Sequence, residues 1–186
     1  MKALAVLLFS TLAASPALTA QAPTPPPPVV TSNPVVWSAN QIYERQSKYM
    51  VAAAEEMPAE KYGYHPTPDQ WSFAKIISHV AGSNGGVCGL LSDQPAPAAV
   101  KVAETATKPE LVAAVKASFA FCDTVIANLH DDKLGDTITY FRGARVPRAR
   151  ALIELTDDLE DHYSQMAAYL RLNGMLPPSA TPAPKK

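Results

Sequence analysis

The chain has 186 residues, 47% of them hydrophobic, and sets 16 basic against 17 acidic side chains for a formal charge of −1. This is enough apolar content for one hydrophobic core, and the balance of charge excludes a general electrostatic attraction to nucleic acid. No segment approaches the ~20 consecutive apolar residues of a membrane span.

Met1-Lys2, an apolar run from Ala3 to Ala14 and a small-residue stretch from Ser15 to Ala22 have the three-part pattern of a secretory signal peptide. Residues 1–22 are therefore expected to be a signal peptide, which predicts an exported protein, periplasmic or secreted. Residues 23–35 contain the run Pro25-Pro26-Pro27-Pro28 and are expected to form an extended linker. Residues 36–178 are expected to form the folded domain, followed by a short, polar, proline-rich and disordered tail over 179–186. In an exported chain Cys88 and Cys122 are expected to form a disulfide, which in a loop of this length is worth about 3–4 kcal/mol. Cys122 also lies on the apolar stripe of its segment, so a small buried hydrophobe is the alternative reading.

The first helix is predicted from Trp37 or Ser38 to Met57, with Ile42, Gln46, Tyr49, Met50 and Ala53 at the spacing of a buried face and Pro58 as its stop. Gly63, Pro66 and Pro68 break the following link. A second helix is predicted from about Ser72 to Leu91, with Phe73, Ile76, Ile77, Val80, Val87 and Leu91 inward. Its later half holds Gly82, Gly85, Gly86 and Gly89, which points to close approach of another backbone or room for a ligand. Thr107 is the expected N-cap of a third helix, with Pro109 and Glu110 in its first turn. Leu111, Val115, Phe119, Cys122, Ile126 and Leu129 form its stripe. The segment from Asp136 to Val146 has β-branched and aromatic content and is expected to be an extended connection rather than a sheet. Pro147 opens a fourth helix, which turns Leu152, Leu155, Leu159, His162, Met166, Tyr169 and Leu170 inward and ends near Asn173-Gly174. The expected fold is all-α, a four-helix bundle with long connections between helices.

Ionisable groups interrupt the stripe of the fourth helix at Asp157 to His162. At about 100° per residue, Leu155, Met166, Tyr169 and Asp158 all lie within roughly 40° of His162, whereas Asp157 and Glu160 point almost opposite. An inward carboxylate and imidazole at i and i+4 require a partner: each other, a metal ion or water. His79, at the margin of the second helix's stripe, is a third group able to converge with them. Two imidazoles and one carboxylate suit a divalent metal such as zinc, nickel or iron(II). The plain alternative is a side-chain pair between Asp158 and His162. Arg142, Arg145, Arg148 and Arg150 read either as a solvated loop and helix start or as an anion contact near a site mouth, while His65 and His130 read as surface histidines.

Across Trp37 to Pro178 the sequence resembles the DinB-like superfamily of four-helix bundles, most specifically in Trp71 to Gly82 with His79 and in His162-Tyr163-Ser164-Gln165 followed by Tyr169 to Gly174. The resemblance implies a metal triad of one histidine on the second helix and a His-x-x-x-His pair on the fourth. His79 matches the first member and His162 the last, and Asp158 stands where the middle histidine is expected. The resemblance further implies a metal-dependent transferase or hydrolase acting on a small molecule that the sequence does not identify. Family members can dimerise, and no dimer interface is legible in the residues.

Overall fold

The computed structural model describes Val29 and residues 31–181, so the expected signal peptide and most of the expected linker lie outside the described residues. Met1–Val30 and Thr31–Lys186 separate as two units, and residues 31–181 belong to the second. Four helices form it: α1 (Pro34–Glu56), α2 (Phe73–Ser92), α3 (Lys108–Ala127) and α4 (Arg148–Leu172). Cross-helix pairs give their directions. Arg45 meets Glu160 and Tyr49 stacks on Tyr163, so α1 and α4 run parallel; Asn84 meets Ser118 and Cys88 meets Cys122, so α2 and α3 also run parallel. His79 meets His162 while the Leu91 carbonyl meets Arg148, which sets α2 antiparallel to α4. α1 and α2 are diagonal, as are α3 and α4, and long crossovers join both pairs.

The apolar stripes meet as the helical period requires. Tyr43, Met50, Phe73, Ile76, Ile77, Leu111, Leu155, Leu159 and Leu170 are all essentially inaccessible in one continuous core. Burial of each such side chain contributes about 1.5–3 kcal/mol relative to exposure. The Cys88–Cys122 disulfide is present and ties α2 to α3 with Cα atoms 5.4 Å apart.

Local chemistry sets the helix ends. Ser72 caps α2 by accepting the Lys75 N–H at 3.1 Å. At α3 the Glu110 carboxylate accepts from both the N–H and the hydroxyl of Thr107, at 2.8 and 2.6 Å, which closes a capping box. α1 begins at Pro34, three residues before the expected start. Its first N–H groups are satisfied from a distance: Asp131, just beyond α3, accepts from Val35 and Val36 at 2.9 Å each, and Asn33 Oδ1 accepts from the Asp131 N–H in return.

The segment expected to be an extended connection is instead a small hairpin. β1 (Thr137–Thr139) pairs antiparallel with β2 (Arg145–Pro147), Ile138 opposite Val146. Both strands come from the same segment: Arg142 and Gly143, both at positive φ, form the tight turn that folds the chain back. The tail is also ordered at its beginning, where Pro178–Ala180 make a helical turn and the Ser179 N–H donates to the Tyr163 hydroxyl at 2.8 Å. Residues 182–186 lie outside the described residues.

Of the four glycines of α2, two mark close approach. A Cβ on Gly85 would lie 2.6 Å from Val100 Cγ2, and one on Gly89 would lie 2.8 Å from the carbonyl oxygen of Gln94, so the crossover to α3 lies flat against α2. At Gly82 nothing lies within 4 Å.

Candidate metal centre

α2 and α4 cross so that His79, Asp158 and His162 converge. Each presents one potential ligand atom, and these atoms all lie within 4.8 Å of one another. Asp158 Oδ1 is 3.5 Å from His79 Nε2 and 3.4 Å from His162 Nε2. The i, i+4 spacing places Asp158 and His162 one turn apart on one face of α4, as the sequence predicts. Asp157 is exposed, and Glu160 turns away to pair with Arg45 at 2.6 Å. Side-chain exposure falls from 35% at His79 through 20% at Asp158 to 7% at His162, so the cluster opens to solvent on the α2 side.

Burial opposes ionisation of Asp158, but polar contacts from His162 and His79, the charge of His162 and a smaller pull from Ser83 overcome it and hold the carboxyl well below the usual carboxylate range. Burial likewise pushes the His162 imidazole down, yet its contact with and attraction to the Asp158 carboxylate, aided by Gln165 and Asp161, raise it above its ordinary value. The buried second oxygen of that carboxylate, Oδ2, has no hydrogen-bond partner.

These residues fit a divalent cation. Nitrogen and oxygen ligands about 2.0–2.2 Å from a tetrahedral zinc stand roughly 3.3–3.6 Å apart, and two of the three pairs here are at 3.4 and 3.5 Å. One carboxylate between two imidazoles, with its remaining oxygen buried and unpartnered, is a donor set that a cation completes.

Sequence reasoning missed the residues that surround the cluster. Trp71, just before α2, stacks on His162 (ring centroids 5.6 Å, 18° between planes) and tilts over His79 (4.9 Å), and its carbonyl accepts from the Tyr169 hydroxyl at 2.9 Å. An aromatic residue in a link carries no periodic signal, so its role was not readable. Gln165, which in the sequence carries only the family resemblance, meets the outer nitrogen of His162; its position at i+3 is the available clue. A cleft of about 380 Å3 on this flank is lined by Gln70, Trp71, Asp161, His162, Gln165 and Tyr169.

The other candidates are elsewhere. His65 and His130 are exposed, and His130 Nδ1 contacts Asn33 at 3.0 Å. The arginines do not act together: Arg148 is buried and donates to the carbonyls of Leu90 and Leu91 and to Asp93, closing the C-terminus of α2, whereas Arg150 pairs with Glu154 and Arg145 with Thr139.

The sequence profile of the DinB superfamily matches residues 42–166, an interval that contains all three residues of the cluster. The chain belongs to the DinB superfamily. Its fold is that of solved DinB-like proteins. One from Bacillus cereus ATCC 10987 superposes with a TM-score of 0.59 at 16% identity, covering 76% of this chain and 95% of that one. One from Bacillus subtilis gives 0.60 at 16% identity, covering 76% and 92%. A mutant of the mycothiol-dependent maleylpyruvate isomerase gives 0.59 at 14% identity over 70% of this chain and 60% of that one. No curated protein matches this chain. Among the described residues no helix is long and apolar enough to cross a membrane.

Proposed function

We propose that this DinB-superfamily protein is exported and holds a divalent metal, zinc, nickel or iron(II), through His79, Asp158 and His162, for a transferase or hydrolase reaction on a small molecule. The observation that carries the reading is that one ligand atom from each of the three residues lies within 4.8 Å of the others, while the second oxygen of the same carboxylate, Oδ2, is buried without a partner. When bound, such a cation lowers the pKa of a water or thiol at its open position. The chain's own residues do the rest. His79 and His162 offer imidazole nitrogens, Asp158 supplies a negative charge that favours a dication, and Trp71 covers both rings and keeps water from that side. Access is left from the solvent-exposed flank near Gly82. Export is supported by the pattern of the first 22 residues and by the Cys88–Cys122 bond, which suits an oxidising compartment. An exported protein does not meet the cytosolic thiol pool, which favours water over a low-molecular-weight thiol as the activated group.

One observation favours a rival reading: Asp158 Oδ1 already contacts both imidazoles, so a metal-free, non-catalytic bundle with Asp158 paired to His162 is self-consistent. Metal analysis of untagged protein separates the two. Near-stoichiometric transition metal, a rise in Tm on adding zinc or nickel, and quenching of Trp71 fluorescence by nickel are expected. Less than about a tenth of an equivalent together with no thermal shift leaves the metal-free bundle. Asp158→His should tighten zinc binding by restoring a third imidazole; a loss of stability with no gain in affinity would count against a working site.

A further inference from the structure

His162 has polar neighbours on both of its nitrogens. Nε2 faces Asp158, while Nδ1 lies 3.4 Å from Gln165 Oε1 and 3.9 Å from Asp161 Oδ2. The orientation of the Gln165 amide is determined independently of the histidine. Its Nε2 donates to Asp161 Oδ2 at 3.0 Å, and a carboxylate only accepts, so the NH2 group points to Asp161 and the carbonyl oxygen points to His162. A carbonyl oxygen also only accepts, so Nδ1 carries a proton; the Asp158 carboxylate at Nε2 accepts as well, and a cation would take the place of any proton there. Helical spacing makes this contact possible, because residues 162 and 165 are three apart and residues 161 and 165 four apart on one surface.

We propose that Gln165 and Asp161 are a positioning pair that keeps a proton on His162 Nδ1, so that Nε2, on the side of His79 and Asp158, is the nitrogen left to offer a lone pair to a cation. The inference deepens the metal-site reading and rests on it for its consequence, since a ligating imidazole is oriented by the hydrogen bond that its other nitrogen donates. Neither residue touches the metal position. Gln165 acts through His162, and Asp161 acts through Gln165. In a neutral imidazole one nitrogen donates and the other accepts, so removing the acceptor at Nδ1 releases the proton to Nε2, where it blocks coordination and bonds to Asp158 instead.

The test combines two measurements on full-length purified protein. The first is zinc affinity by competition with a chromophoric chelator. Gln165→Leu is expected to weaken zinc binding by roughly 10- to 100-fold, Asp161→Ala by less, and the double variant Asp161→Asn/Gln165→Glu, which reverses the donor and acceptor yet still offers an oxygen to Nδ1, should recover most of the loss. The second is the 15N imidazole spectrum of His162 in metal-free protein with the ring neutral. Its Nδ1–H population should fall in Gln165→Leu and return in the double variant. Helical circular dichroism of each variant controls for misfolding, and a merely structural glutamine would move stability without moving the tautomer. Unchanged zinc affinity and an unchanged His162 spectrum in folded Gln165→Leu would overturn the proposal. If the wild type takes up no zinc, the metal-site reading fails, while the imidazole spectra still decide for or against the positioning pair.

Discussion

Asp158 is held ionised by its neighbours against the cost of its own burial, and Asp158 in turn raises the His162 imidazole above its ordinary value although burial opposes it. That reciprocity predicts how metal-free protein responds to pH. The raised His162 contributes stability that is complete below its unfolded value of about 6.5 and is lost as pH rises through the folded value. The depressed Asp158 contributes stability that is present above its unfolded value of about 3.9 and is lost as pH falls through the folded one. Both contributions are whole between about pH 4 and pH 6.5. Urea denaturation of metal-free protein should therefore show a decline on the alkaline side of this window, and Asp158→Ala should flatten it. Equal alkaline slopes in the two proteins would show that the pair is not coupled. At this scale the sequence was informative: the angular position of Asp158 relative to His162 follows from the helix period alone. It could not reveal that the Oδ2 atom lacks a partner, nor that Trp71 lies over both rings, because these depend on what α2 and its preceding link bring from about eighty residues away.

Helix ends divide into those set locally and those set at a distance. Thr107 and Glu110 cap α3 within one turn, and their spacing is a sequence signature. α1 differs, because its cap is Asp131, and the residues that precede it give no local signal strong enough to place the start at Pro34. Asp131→Ala should cost about 1–2 kcal/mol, the range of a lost helix cap. Faster amide exchange should be confined to the first turn of α1. No change in exchange at Val35 and Val36 would mean that the carboxylate does not hold that end. The hairpin teaches a related lesson. Its strands are three residues each and its turn places Arg142 at a φ of 59°, a conformation that arginine rarely adopts, so neither strand length nor turn composition announces it.

Two long crossovers around one core make this bundle depend on contacts between segments far apart in the chain. The Cys88–Cys122 bond joins the parallel helices α2 and α3 across the connection between them, residues 93–107. Reduction, or Cys88→Ser with Cys122→Ser, should lower the free energy of unfolding by about 3–4 kcal/mol on the chain-entropy account. Chemical denaturation with and without reductant measures it, and a loss below about 1 kcal/mol would show that packing alone aligns α2 and α3. His79, Asp158 and His162 sit on the α2–α4 seam rather than on this one, so a folded disulfide-free variant should take up as much zinc as the wild type does.

The sequence by itself determined the helices, their inward faces and the all-α class, and it set Asp158 and His162 inward together, because these follow from the 3.6-residue period and from the cost of burying charge without a partner; His79, at the margin of its stripe, joined them through the family resemblance. Only the tertiary structure decided which helices are neighbours, that Asp131 starts α1, that Arg148 closes α2, and that Trp71 and Gln165 attend the imidazoles. Periodicity specifies which face of a helix is buried but not against what, and side chains from links or from a distant turn enter a site only once the packing of the helices has brought them there.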